Sequence, residues 1–107
     1  VTIGALRVKL YYPDNLSLKE KRGRLKSISA RLRSRFNVAV AEIDDNEVWQ
    51  LATLGISCVS NNGRHANQLL SKVMDFIEAN RGDAQVLDYK LEIMHALNAS
   101  ERSIRFP

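Results

Sequence analysis

The order in which two periodicities follow one another constrains this chain's fold more than any other feature. Near the start, apolar and polar residues alternate. Leu6, Val8 and Leu10 fall on one side and Arg7, Lys9 and Tyr11 on the other, the pattern of a half-buried strand. After a Pro-Asp-Asn turn the apolar spacing lengthens to three and four, through Leu18, Leu25, Ile28 and Leu32 to Phe36. That spacing predicts a helix to about Arg35. Ser17 and Glu20 form a capping box at its start, with the hydroxyl accepting from the Glu20 amide and the carboxylate reaching back to the Ser17 amide. "NVAVAEI" and "WQLATLGISCVS" read as two strands joined by "DDNE", a turn sequence. Asn61 or Asn62 then caps a second helix from about Gly63 to Asn80, with Ala66, Leu69, Leu70, Val73, Phe76 and Ile77 as its apolar stripe. "RGD" turns the chain, and "AQVLDYKLEIM" alternates again, with Leu87, Tyr89, Leu91 and Ile93 set against Asp88, Lys90 and Glu92.

Strand, helix, strand, strand, helix, strand is the order of an α+β, ferredoxin-like βαββαβ sandwich. It predicts a four-stranded antiparallel sheet with both helices on one face. The other face, carrying Arg7, Lys9, Asp88, Lys90 and Glu92, is left open to solvent or a partner. At 107 residues the chain is read as one domain over 1–94, followed by a tail over 95–107 that is either mobile or docked on a partner. This topology sends Arg31, Arg33 and Arg35 to the same end of the sandwich as Arg64 and His65. It gathers Asp14, Asp44, Asp45, Glu47 and Asp83 at the other end, beside Lys19 and Lys21.

Charge is the second informative feature. The net charge is +4, but residues 17–36 hold eight Lys or Arg and one acid, while the rest of the chain holds eight basic and eleven acidic residues. A mildly acidic body therefore carries one basic helix. A solvated helix usually intersperses acids for i, i+4 support. Here like charges crowd together, and only part of the excess is explained by Arg31, Arg33 and Arg35 complementing the helix dipole. Clustering of this kind points to a surface for phosphates or for an acidic protein; the alternative is a solvated face, with part of the charge pairing within the chain to the acidic hairpin loop. The candidate nucleic-acid-binding residues are Lys19, Arg22, Lys26, Arg33 and Arg35, with Arg64 as a neighbour. A platform for reading single-stranded bases is missing, since Tyr11 is the one aromatic expected on the open faces of the central strands.

The stretch "YYPDNLSLKEKRGRLKSISARLRSRFNVAVAEIDDNEVWQLATLGISCVSNN" resembles the YlxP-like family, a small bacterial family of uncharacterised function. The likeness rests on "SLKEKR", "RLRSRFNVAVAEID" and "WQLATLGISCVSN" as a set, and extends to about residue 94. It implies the ferredoxin-like fold. Genes of the family often neighbour those for translation initiation and ribosome maturation proteins, so it also implies a link to RNA or the ribosome. It supplies no catalytic residues. Gly23 stands where relatives often carry a larger, frequently basic residue.

No catalytic grouping accompanies these motifs. There is no phosphate-binding glycine loop and no Ser–His–Asp set. His65, His95 and the lone Cys58 have no metal-ligand spacing, and "EIDDNE" lacks the spacing of a calcium loop. Cys58, alternating with Leu54 and Ile56, reads as a buried core residue. The chain is thus expected to be non-enzymatic, with no metal and no cofactor. No apolar run nears the roughly 20 residues of a membrane span, and a cytoplasmic location is expected. The expected partner is RNA or a ribosomal subunit. The alternative is a homodimer through the open sheet face or a sheet edge, with the basic helix docking an acidic protein. Trp49 is read first as a lid over the edge of the core and second as an interface anchor.

Overall fold

A computed structural model describes residues 1–97. Its elements run β1 (Thr2–Tyr11), α1 (Leu18–Arg35), β2 (Ala39–Asp44), β3 (Leu51–Ser60), α2 (Gly63–Ala79) and β4 (Gln85–His95). The strands form one antiparallel sheet in the order β2-β3-β1-β4, the ferredoxin-like arrangement. β4 takes in His95, one residue beyond the expected domain boundary; of the expected tail, residues 98–107 lie outside the described residues.

Register sorts the two faces. Paired residues share a face, so Leu6–Ile56, Val8–Leu54 and Leu10–Ala52 pack beneath the helices. Leu25, Ile28 and Leu32 of α1 and Leu70, Val73 and Ile77 of α2 cover them, all buried. Each such side chain contributes about 1.5–3 kcal/mol on burial. Cys58 is buried in the same core. On the opposite face Arg7 stands across from Lys90 and Lys9 from Asp88. Both edge strands are bulged. Ile43 is the extra residue between Glu42 and Asp44 on β2, and Leu87 is extra on β4 where the register shifts opposite Lys9 and Leu10. Leu87, expected to face inward, is therefore exposed. Bulges of this kind twist and interrupt sheet edges.

The caps form much as their sequences dictate. Ser17 Oγ accepts from the Glu20 amide at 3.1 Å, while the Glu20 carboxylate takes the amide of Leu16 rather than that of Ser17. The α2 cap is Asn62, whose Oδ1 accepts from the amides of Arg64 and His65. Gly4 marks where α2 presses closest on the sheet: a Cβ there would lie 2.7 Å from Leu70 Cδ1.

The helices are staggered, which corrects the expected positive end. Arg31 donates to Asn80 Oδ1, and both Arg31 and Arg35 lie over the ring of Phe76. The end of α1 therefore meets the last turns of α2. Phe76 is twelve residues, or about 18 Å of helix, from Arg64. β2 enters the sheet at Ala39 opposite Ser57, short of the end of β3 at Ser60, so α1 stops before reaching the level where α2 begins.

Candidate nucleic-acid interface

The eight cations of α1 divide by the direction in which the helix points them. Lys21 points inward and is fully buried. Its Nζ donates to the carbonyls of Val48 at 2.6 Å, Asp45 at 2.8 Å and Leu51 at 3.0 Å, with the Asn46 carbonyl longer at 3.3 Å. Glu42 Oε2 lies 3.0 Å from the same nitrogen. An ammonium has three protons, and the carbonyls take them. The Glu42 oxygen is buried without a hydrogen bond of its own, so it balances the charge by proximity alone. Lys21 thus pins the β2–β3 loop to α1. Sequence reasoning missed it by counting it with the solvated charges, yet Lys21, Leu25, Ile28 and Leu32 follow the four-three-four spacing of the buried stripe. Leu18, expected in that stripe, is only half-buried.

Arg24, Arg31 and Arg35 face α2 and the loop after it. Arg24 binds Asp83 at 2.9 Å and lies over the ring of Tyr12. The Asp83 carboxyl is held below the ordinary carboxylate range by a hydrogen bond with Asp14 and then by the Arg24 guanidinium. Burial pushes the Tyr12 hydroxyl up; Arg24 opposes that shift and Asp83 adds to it. Between this flank and residues 80–83 runs an open groove of about 710 Å³, with Lys19, Gly23, Arg24 and Arg31 along its helical wall.

The remaining cations form the candidate interface. At 100° per residue, Lys19, Arg22, Lys26 and Arg33 fall within roughly 60° of one another, along about 21 Å of helix. All four are exposed. Arg22, Lys26 and Arg33 line one shallow cleft whose far side is Glu42 and Leu54. Among the described residues, none of the four makes an ion pair with an acid. The nearby Glu42 is already matched to Lys21, so among the described residues the stripe's charge is left without a counter-ion. Arg33 alone is partly committed, donating to the Val40 carbonyl at 2.7 Å, where it also satisfies a backbone group of the β2 edge.

Of the six residues singled out from the sequence, four therefore share one stripe. Arg35 belongs to the other flank, stacked on Phe76. Arg64 stands exposed at the N-terminus of α2, remote from both. Trp49, read first as a lid, is 53% exposed. Among the described residues no three His, Cys, Asp or Glu are grouped to hold a metal ion, and no helix is long and apolar enough to cross a membrane.

Fold and site together define a ferredoxin-like sandwich with a cationic ridge along its first helix that has no acidic partner among the described residues. Residues 3–91 match the family described as "Protein of unknown function (DUF503)", and the chain belongs to that family. It is 36% identical over 77 residues to the Bacillus subtilis (strain 168) protein titled "Uncharacterized protein YlxP", an alignment covering 72% of this chain and 84% of that protein. Among solved structures, a de novo designed protein with a ferredoxin fold aligns over 97% of this chain and 95% of its own, at 14% identity and a TM-score of 0.46. Strand order and antiparallel register by themselves make the fold ferredoxin-like.

Proposed function

We propose that this protein is a non-enzymatic RNA- or ribosome-associated binding protein that grips phosphates along the outer flank of α1. The observation that carries the reading is the stripe of Lys19, Arg22, Lys26 and Arg33, four exposed cations on one face without an acidic partner among the described residues. Its binding is electrostatic, so affinity falls steeply with salt. Four phosphate contacts give a slope of log K against log salt of about −3 to −3.6. Filter binding of a structured RNA across a salt series tests this. The charge-reversed variant Lys19→Glu/Arg22→Glu/Lys26→Glu is the comparison, with Arg33 left in place because it bonds Val40. The wild type should bind with the steep slope and the variant should not bind. Equal binding by both refutes the site.

A second reading, self-association, is favoured by β4. This edge strand pairs only with β1 among the described residues and leaves Leu87, Tyr89 and Met94 exposed. The bulge at Leu87 blunts only the start of this edge, and the regular run from Asp88 to His95 beyond it can take a further strand. A salt-insensitive dimer in light scattering coupled to size exclusion, with no retention of RNA, selects this reading over the first.

A further inference from the structure

The loop between β2 and β3 is fixed far more firmly than its connecting role requires. A hairpin needs as few as two loop residues, whereas here residues 45–50 are tied from several directions. Lys21 holds the carbonyls of Asp45, Val48 and Leu51. Asp45 sits at a positive φ of 62°, a conformation uncommon for any residue but glycine. Thr53 Oγ1 keeps it there by donating to its carboxylate at 2.7 Å. From the other side, Asn15 Nδ2 donates to the Trp49 carbonyl, Gln50 donates to the carbonyls of Pro13 and Asn15, and the Tyr12 amide donates to the Gln50 carbonyl. A fully buried lysine and a fully buried asparagine are both spent on this loop.

What the clamped backbone presents outward is apolar. Val48 and Trp49 are exposed, and Leu16, adjacent to the Asn15 that bonds Trp49, is 76% exposed. An exposed tryptophan on a rigid mount loses little entropy when it is covered, the property of an interface anchor. The charge around it is acidic. Asp44 at the end of β2, Glu47 on the loop and Asp14 on the neighbouring segment are all exposed. The exposed carboxylates beside the indole favour a positively charged partner.

We infer that the Trp49 loop is a docking site for an arginine-bearing, cationic segment of a partner protein. A guanidinium stacks on the indole, the best of the aromatic faces for a cation, while its N–H groups reach the Asp44 and Glu47 carboxylates. This surface is distinct from the α1 stripe and does not depend on the RNA reading.

Trp49 is the chain's only tryptophan, so its emission reports on this site alone. The test is to titrate the whole chain with octa-arginine, with octa-glutamate and oligo-uridylate as comparison ligands. The variant Asp44→Asn/Glu47→Lys keeps an acceptor for the Asp45 amide while reversing the rim, and circular dichroism checks that it folds. Octa-arginine should change the emission saturably despite the chain's net charge of +4. High salt should abolish the effect, and the folded variant should bind at least tenfold more weakly. Octa-glutamate should do nothing. The inference is overturned by an emission insensitive to octa-arginine, by a response unchanged in the variant, or by a response to oligo-uridylate in place of octa-arginine, which marks a nucleobase-stacking site instead. The RNA affinity of the same variant, set by the α1 stripe, stays at the wild-type value.

Discussion

Replacing Lys21 with methionine tests the carbonyl cage that organises one end of the molecule. Methionine keeps most of the side-chain volume and removes the charge and the three donors. Three backbone carbonyls, at 2.6 to 3.0 Å from Nζ, lose a charged donor, and each such hydrogen bond is worth about 1.5–3 kcal/mol. The Glu42 oxygen, buried 3.0 Å away, is left as an uncompensated charge. Breaking a buried pair from one side costs about 3–5 kcal/mol. Water entering the opened loop relieves part of the carbonyl loss, so the expected net loss is about 4 kcal/mol. At about 4–8 °C per kcal/mol for a domain of this size, the melting temperature falls by roughly 15–30 °C. Urea titration followed by far-ultraviolet circular dichroism measures the loss. Trp49 emission should respond at lower urea than the dichroism, because the loop is released first. The double variant Lys21→Met/Glu42→Leu should recover about 1–2 kcal/mol by removing the stranded carboxylate. A single-variant loss below about 1 kcal/mol would falsify the cage as a source of stability.

Three further outcomes are expected. Gly23 lies exposed inside α1, and a Cβ there meets nothing within 4 Å; Gly23→Ala should therefore stabilise the chain by about 1 kcal/mol, seen as a raised urea midpoint with an unchanged slope. Gly4→Ala should cost about 1–3 kcal/mol by overpacking, because its methyl group meets Leu70 and Cys58 at 3.0 Å or less; a neutral effect would show that α2 retreats freely. The Asp83 carboxyl titrates below its ordinary value of 3.8. It therefore contributes stability above the unfolded-state pKa and loses that contribution as pH falls through the folded value. Asp83→Asn should flatten the acid limb of a stability–pH curve below about pH 4, and an unchanged limb would place the acid sensitivity elsewhere.

The element order was legible because each segment shows its period plainly. The alternation around Leu6, Val8 and Leu10 and the 66–70–73–77 spacing in α2 both point to the faces the structure buries. Caps were legible because Ser17 and Asn62 act through adjacent amides. The candidate site was legible in composition and only partly in geometry. Helical spacing alone groups Lys19, Arg22, Lys26 and Arg33. The placement of Arg35 over Phe76 depends on how far α1 slides along α2, and that is set by the point where β2 enters the sheet. No local pattern encodes that offset. Lys21 was hidden for a different reason. A lysine in an apolar stripe is read as a solvated charge unless its acceptors are known, and these come from a loop more than twenty residues later.

The proposed function stands or falls with phosphate binding along the outer flank of α1. Co-sedimentation with ribosomal subunits from lysate, at low and at high salt, tests it most directly when the wild type is compared with Lys19→Glu/Arg22→Glu/Lys26→Glu. The wild type should pellet with a subunit at low salt and be released at high salt, while the folded variant should stay in the supernatant at both. A variant that pellets as the wild type does, or a wild type that stays soluble at low salt, contradicts it.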